Sequence, residues 1–192
     1  AAITLTVDNT LPFKAESYRL VIDSDGVRII GKDVAGAFYG ALTLIQLVET
    51  QGRDLPHLII EDWPDFPRRG VMLDISRDKV PTMQTIYELI DLLASWKINE
   101  VQLYTEHTFA YRNHKKLWKK ASPMTAEEIL ALDVYCKQPS IALLPNQNSF
   151  GHMHRWFEHD PYLELAEVKT DVIFLGIDLY AFALDVARGR LF

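Results

Sequence analysis

Polar and charged side chains follow three short apolar runs in the second part of the sequence. They are Asp74, Ser76 and Arg77 after the first run, Tyr104, Glu106 and His107 after the second, and Asn146, Gln147, Asn148 and His152 after the third. A guanidinium offers fixed donors to neighbouring hydroxyls, and a nearby carboxylate holds it in place. Asp74 and Arg77 therefore indicate a site for a polyhydroxylated ligand, or else an ion pair that only closes the rim of the fold.

The elements that carry these side chains alternate between strand and helix patterns. From Arg69 onward, GVMLDIS, NEVQLYTE and IALLPNQNS have the pattern of short buried strands, and helical spacing separates them. Strands joined by helices run parallel, so their carboxyl ends meet at one edge, where ligands bind in α/β sheets and barrels. We therefore expect the three polar clusters to lie together.

Both intervening helices carry capping signals at their starts. Thr85 with Glu88, and Thr125 with Glu128, have the spacing in which a hydroxyl and a carboxylate bind each other's backbone N–H groups. We expect a capping box at the start of each helix.

The first 65 residues have a different pattern, which predicts a small α+β domain. The order is strand, strand, strand, helix and strand, with a hairpin about Ser24-Asp25-Gly26 and a helix from about Val34 to Thr50 that Gly52 caps. The proline-rich stretch WPDFPRRG then marks a boundary. We therefore predict two domains, 1–65 and 66–192.

The composition argues against several classes of partner. A formal net charge of −6 and a pI near 5.5 give no electrostatic reason to expect a nucleic acid or an anionic membrane. The long apolar stretch 171–187 contains three aspartates, which argues against a membrane span. Cys136 is alone and is expected to be a small buried residue, which leaves the compartment open.

Two further motifs each have a functional and a structural interpretation. Residues 108–120, TFAYRNHKKLWKK, mix aromatic and basic side chains, and we expect a loop over the strand ends whose aromatics suit either sugar faces or the core. Glu106, His107, His152 and His154 could suggest a metal, but neither a cysteine partner nor a helical histidine pair accompanies them. We expect no metal and no cofactor.

Five segments together resemble a known family. FPRRGVMLDISRDKVP, LLASWKINEVQLYTE and PNQNSFGHM resemble, in order and spacing, the opening of the catalytic barrel of glycoside hydrolase family 20, the β-N-acetylhexosaminidases, and AGAFYGALTLIQLVE with LIIEDWPDFPRRG resembles its N-terminal domain. The likeness covers about residues 18–165. It implies an α/β fold with a small α+β domain followed by a partial (β/α)8 TIM barrel, which holds the first three βα units and an atypical tail at 168–192.

The resemblance also implies roles for single residues. Arg77 matches the family arginine that binds hydroxyls of the terminal N-acetylhexosamine, and His152 matches the histidine of its Pro-Glu-x-Asp-x-Pro-Gly-His motif. The acidic role at the end of the second strand falls to Glu106. The candidate substrate-binding residues are Arg77, Glu106, His152, Asp74, Tyr104 and Asn148.

The sequence also departs from the family pattern. The acidic positions of that motif are Asn146 and Asn148 here, and Phe150 replaces its second proline. The family's reaction is substrate-assisted, with an Asp that stabilises the intermediate and an adjacent Glu as general acid. The chain contains no Asp-Glu dipeptide, so the catalytic residues stay unassigned. In the tail, DVIFLGI predicts a fourth strand, or the whole stretch is one helix.

We therefore expect a β-N-acetylhexosaminidase-like glycosidase that acts on glycans with terminal N-acetylhexosamine. This chain is expected to be a fragment of such an enzyme that lacks the Asp-Glu pair and is inactive. An alternative is a non-catalytic carbohydrate-binding or structural module that kept Arg77 and the aromatic loop. A third reading is a different barrel hydrolase that uses Glu106 as its acid.

Overall fold

The computed structural model of the protein describes residues 2–166, 172–174 and 177–179. Its strands are β1 (Ala2–Val7), β2 (Tyr18–Asp23), β3 (Gly26–Gly31), β4 (Leu58–Asp62), β5 (Gly70–Asp74), β6 (Glu100–Thr105), β7 (Ala142–Gln147), β8 (Val172–Phe174) and β9 (Ile177–Leu179). Its helices are α1 (Val34–Gln51), α2 (Met83–Ser95), α3 (Lys115–Trp118), α4 (Ala126–Lys137), α5 (His154–Phe157) and α6 (Asp160–Leu163).

Backbone proximity divides this mixed α/β chain into two compact units. The first holds the described residues through Arg69, together with Leu89–Asn99 and Cys136–Ile141. The second holds Gly70–Glu88, Glu100–Tyr135 and the described residues from 142 onward. The division of the sequence into domains at residue 65 stays a prediction.

In the first unit, one helix packs on a four-stranded sheet. The strand order is β1-β3-β2-β4, in which β2 pairs antiparallel with β3 and β4, and β1 pairs parallel with β3. The core formed by α1 and the strands contains Tyr18, Leu20, Ile22, Ile29, Tyr39 and Leu44. The predicted order of three strands, a helix and a strand is confirmed.

Asp33 and Gly52 fix the two ends of α1. The carboxylate of Asp33 accepts a hydrogen bond of 2.8 Å from the N–H of Gly36. Gly52 has a φ of 81°, and its N–H donates to the carbonyl of Val48 at 2.9 Å. Because a side chain is strained in this backbone region, glycine ends the helix at the predicted place.

The second unit contains the three parallel strands that the alternating pattern predicted. Their order is β5-β6-β7, and the two connections run through α2 and through α3 with α4. The register sets Asp74 beside Tyr104, and Tyr104 beside Asn146, so the polar ends of the strands share one edge. The completion of these strands into part of a (β/α)8 barrel stays a prediction.

One of the two predicted capping boxes is present. At α4, the N–H of Thr125 donates to the carboxylate of Glu128 at 2.8 Å, and the N–H of Glu128 donates to Oγ1 of Thr125 at 3.2 Å. The box predicted at α2 is wrong, because Thr82 precedes that helix and its Oγ1 accepts from the N–H of Thr85 at 3.2 Å. A hydroxyl stands at both candidate positions, and the chain starts the helix at the earlier one.

Over the part that the structure describes, the tail has a strand within the segment DVIFLGI, at Val172–Phe174, but this strand does not join the parallel sheet. Strands β8 and β9 pair with each other antiparallel, as a separate two-stranded sheet, instead of adding a fourth parallel strand or one helix. The rest of the predicted tail lies outside the described residues. No helix within the described ranges has the length and apolar character needed to cross a membrane.

Candidate functional site

Side chains at the carboxyl ends of β5 and β6 and just after β7 form a connected polar group, which we call the Arg77 cluster. Its members are Asp74, Arg77, Tyr104, Glu106 and Asn148. The turn after β5 is held by Asp74, whose Oδ1 accepts from the N–H groups of Ser76 at 2.9 Å and Arg77 at 3.1 Å. The carboxylate that ends the strand therefore also sets the direction of Arg77.

The guanidinium of Arg77 lies between two carboxylates and an aromatic ring. Its nitrogens are 3.3 Å from Oδ2 of Asp74 and 3.7 Å from Oε1 of Glu106, and its Cζ lies 5.4 Å from the ring centroid of Tyr104. The Arg77 side chain is 57% exposed, whereas that of Glu106 is only 4% exposed. The guanidinium is therefore held in place by these three side chains and is still accessible to a ligand.

Glu106 is buried with a chain of hydrogen bonds. Its Oε1 accepts from the hydroxyl of Tyr104 at 2.8 Å, and that hydroxyl accepts from Nδ2 of Asn148 at 2.7 Å. Burial raises the pKa of Tyr104, and the Glu106 carboxylate adds to the shift, while the Asn148 hydrogen bond opposes it. The phenol therefore stays protonated and donates to the carboxylate.

The backbone of Glu106 is fixed by three further side chains. Its N–H donates to Oγ of Ser76 at 2.6 Å, and its carbonyl accepts from Nε1 of Trp156 at 2.6 Å and from Nε2 of Gln147 at 3.1 Å. Sequence reasoning missed Trp156, because nothing in the local pattern links it to a strand end fifty positions earlier. Such bonds hold the carboxylate in one geometry.

The aromatic loop packs mainly as core. Tyr111 lies 5.6 Å from Trp156 between ring centroids, and both Tyr111 and Trp118 pack against a buried cluster that contains Trp156 and Tyr162. Burial raises the pKa of Tyr111 to about 12, and its hydroxyl donates to Gln147. Of the two interpretations of these aromatics, the structure favours the core.

Two histidines flank this region. His152 follows β7 with a φ of 55°. His107 is partly buried, and its Nδ1 has no hydrogen-bond partner among the described residues. Within those residues, no three His, Cys, Asp or Glu side chains are grouped so that they could hold a metal ion.

An apolar cavity of about 380 Å³ lies beside β7 and α4. Leu103, Phe109, Leu130, Leu143 and Leu144 contribute to its wall. Asn146 and Gln147 reach it, but Asp74, Arg77 and Glu106 do not. An apolar wall does not satisfy a ligand rich in hydroxyls, so we place the candidate site at the Arg77 cluster.

Comparisons with known proteins point to one family. The model for glycosyl hydrolase family 20, domain 2, matches residues 1–63. A β-hexosaminidase of Porphyromonas gingivalis is 32% identical over 176 residues, which are 79% of this chain and 22% of that protein. The N,N'-diacetylchitobiase of Vibrio harveyi is 29% identical over 175 residues, which are 88% of this chain and 20% of that protein.

A solved structure of a family 20 β-N-acetylglucosaminidase superposes with a TM-score of 0.74 at 30% identity, over 90% of this chain and 38% of that one. The chain thus spans about a fifth of the length of the two curated relatives.

Proposed function

Because this chain belongs to glycoside hydrolase family 20, we propose that it supplies part of the sugar-binding site of a β-N-acetylhexosaminidase, an enzyme that removes terminal N-acetylhexosamine from glycans. Residues 1–65 would be its small α+β domain. Residues 66–192 would contribute the first three βα units of a (β/α)8 barrel.

The observation that carries this proposal is the placement of Arg77. Its guanidinium is exposed on one side, while Asp74 and the buried Glu106 hold it on the other. Two neighbouring hydroxyls of a sugar ring match the paired donors of a guanidinium, and a carboxylate beside it accepts from the same hydroxyls. Arg77 would therefore bind the sugar directly, and Glu106 would orient the guanidinium of Arg77.

Asn148 and His152 would complete the wall of the sugar site after β7. Asn148 already positions the hydroxyl of Tyr104 through a hydrogen bond of 2.7 Å. His152 has a left-handed backbone with a φ of 55°, which is uncommon for a residue with a side chain and is found more often at functional turns.

The 192-residue polypeptide itself is proposed to bind sugar without cleaving it. Departure of an alkoxide requires a proton donor, and the cationic ring requires a nearby anion. The family resemblance assigns both tasks to an Asp-Glu pair, which this sequence does not contain. Glu106 does not suit the role of the acid, because its carboxylate is buried against Tyr104 and Arg77.

Calorimetric titration of the chain with N-acetylglucosamine tests the binding proposal. We expect saturable binding that Arg77→Ala weakens by about tenfold or more, since a hydrogen bond to a charged group contributes roughly 1.5–3 kcal/mol. Arg112→Ala is the matched control, because Arg112 is an exposed arginine outside the Arg77 cluster. Equal affinity of the wild type and Arg77→Ala would overturn the proposal.

Hydrolysis is tested separately with a nitrophenyl N-acetylglucosaminide. We expect no release of nitrophenol above that of the Arg77→Ala variant. Reproducible release by the wild-type 192-residue chain, lost in Glu106→Gln, would contradict the assignment of Glu106 and restore it as an acid.

A further inference from the structure

We propose that a second site in this chain, outside the Arg77 cluster, binds the sulfate or phosphate group of an anionic ligand. The site is a cavity of about 360 Å³ that we call the lysine cavity, a size within the roughly 300–1,000 Å³ of small-molecule pockets. Its lining residues are His107, Lys116, Leu117, Lys119, Lys120, Ala121, Arg155, Glu158 and His159.

The charges around the lysine cavity are unbalanced. Lys116, Lys119 and Lys120 make no ion pair with any described residue, and Arg155 is paired with Glu158 at 3.4 Å. Four cations therefore face one carboxylate, in a chain whose formal net charge is −6. Like charges gathered in a concave wall repel one another until an anion neutralises them, so the arrangement favours an anionic ligand.

His107 lines the same cavity and carries an unsatisfied polar atom. Its Nδ1 is buried without a hydrogen-bond partner among the described residues, which is a costly state for a polar atom. Burial lowers the pKa of His107, Arg155 and His154 lower it further, and Glu106 and Glu158 oppose them. A bound anion would oppose the same repulsion and favour the protonated ring.

The form of the site favours a single oxyanion over a nucleic acid. Nucleic-acid surfaces distribute their cations along a groove that follows the backbone, whereas these four surround one cavity. Three of the four lysines in segment 108–120 line this cavity, and Tyr111 and Trp118 of the same segment pack against the core. The inference does not depend on glycoside hydrolysis, since none of the residues that line the lysine cavity belongs to the Arg77 cluster.

Titrations monitored through the imidazole NMR signals of His107 test this proposal. The chain is titrated at constant ionic strength with sodium sulfate, sodium phosphate, N-acetylglucosamine 6-sulfate and unsubstituted N-acetylglucosamine. We expect a saturable shift with the first three ligands, together with a rise in the pKa of His107. Tighter binding of the sugar ester than of inorganic sulfate would assign the group to a saccharide, and equal binding would assign it to the free anion.

Variants of cavity residues and a control variant test whether the anion binds at the lysine cavity. Lys119→Ala and Lys120→Ala are each expected to weaken sulfate binding about threefold, the effect of an exposed charge pair, and Arg155→Ala more. Lys115→Ala is the control, because Lys115 is an exposed lysine at the start of the adjoining helix α3 and does not line the cavity. No saturable shift, equal shifts in all variants, an equal response to the unsubstituted sugar, or tighter binding of a DNA oligonucleotide would each overturn the proposal.

Discussion

The guanidinium of Arg77 lies 3.7 Å from Oε1 of Glu106, a carboxylate that is almost fully buried. A buried carboxylate is stable in its charged form only when other groups supply charge or hydrogen bonds. Here the hydroxyl of Tyr104 supplies the hydrogen bond and Arg77 supplies the charge. A ligand that contacts the exposed side of Arg77 therefore meets a cation whose position is set from inside the fold.

Glu106→Gln tests this coupling between the two residues. Glutamine keeps the size of the side chain and the acceptor for Tyr104, but removes the charge that faces Arg77. We expect sugar affinity to fall about fivefold, while the free energy of unfolding changes by less than about 1 kcal/mol, because removal of a buried charge offsets the lost pairing. Calorimetry and urea denaturation measure the two quantities, with the exposed Glu127→Gln as control. Unchanged affinity in a folded Glu106→Gln protein would contradict the coupling.

Tyr104→Phe tests the hydrogen bonds beneath the arginine. The change removes one hydroxyl that donates to Glu106 and accepts from Asn148, so a buried carboxylate and an amide lose a partner. We expect the free energy of unfolding to fall by about 1–3 kcal/mol.

Tyr87→Phe is the matched control for this change. Tyr87 packs against Tyr135 with 4.4 Å between the ring centroids, and its hydroxyl makes no hydrogen bond with any described residue. Its loss should change stability by less than about 0.5 kcal/mol. Equal effects of the two substitutions in urea denaturation would argue against a structural role for the Tyr104 hydroxyl.

The sequence pattern was sufficient to predict the three parallel strands and the location of the Arg77 cluster at their carboxyl ends. Strands β5, β6 and β7 are short apolar segments between helices, and parallel strands must end at a common edge. Asp74, Tyr104 and Asn146 consequently align in register. The use of these residues in sugar binding stays a prediction, because the pattern fixes their position and not their ligand.

Contacts between residues distant in the sequence could not be predicted in this way. The bond from Trp156 to the carbonyl of Glu106 depends on where α5 packs, and the contacts of Lys97 with Asp62 depend on where the turn after α2 lies. The misassigned cap at α2 has a local cause instead. Thr82 lies three positions before Thr85 and also carries a hydroxyl, which accepts from the N–H of Thr85.

Lys97→Met tests a polar group in the first unit. The ammonium lies 3.0 Å from Oδ2 of Asp62, 3.0 Å from Oγ1 of Thr43 and 3.1 Å from the hydroxyl of Tyr18. Methionine keeps the apolar stem and loses these three bonds. We expect a loss of about 1 kcal/mol at neutral pH, a low value because Asp62 is 46% exposed and solvent screens the pair.

The effect of Lys97→Met should also depend on pH. Burial acts to raise the pKa of Asp62, but the hydrogen bonds from Lys97 and Tyr18 outweigh it and lower that pKa. The stabilisation is therefore present above the unfolded-state value of about 3.9, and is lost as the pH falls through the lower folded-state pKa. Denaturation curves should converge in acid. The exposed Lys14→Met is the control, and a constant difference at all pH values would contradict the pairing.

The start of α2 offers a test of helix capping. Oγ1 of Thr82 accepts from the N–H of Thr85, whereas the carboxylate of Glu88 accepts from the exposed side chain of Gln84. We expect Thr82→Ala to lower the free energy of unfolding by about 1 kcal/mol, and Glu88→Ala to lower it by less than about 0.5 kcal/mol. A larger loss in Glu88→Ala, measured by thermal denaturation, would restore the box at Thr85 and Glu88.

His107 should make the stability of the chain depend on pH near neutrality. Its folded-state pKa lies below the usual value because of burial and of the nearby Arg155, so the unfolded chain takes up a proton first. Stability is therefore greatest above the unfolded-state pKa of about 6.5, and is lost as the pH falls from there through the folded-state pKa. The His107→Gln variant cannot take up that proton. The stability of the variant relative to the wild type should therefore increase as the pH falls from about 8 to about 5. Urea denaturation at both pH values measures the difference, and the exposed His57→Gln should keep the wild-type profile. A pH-independent difference between the wild type and His107→Gln would show that the buried ring does not titrate in this range.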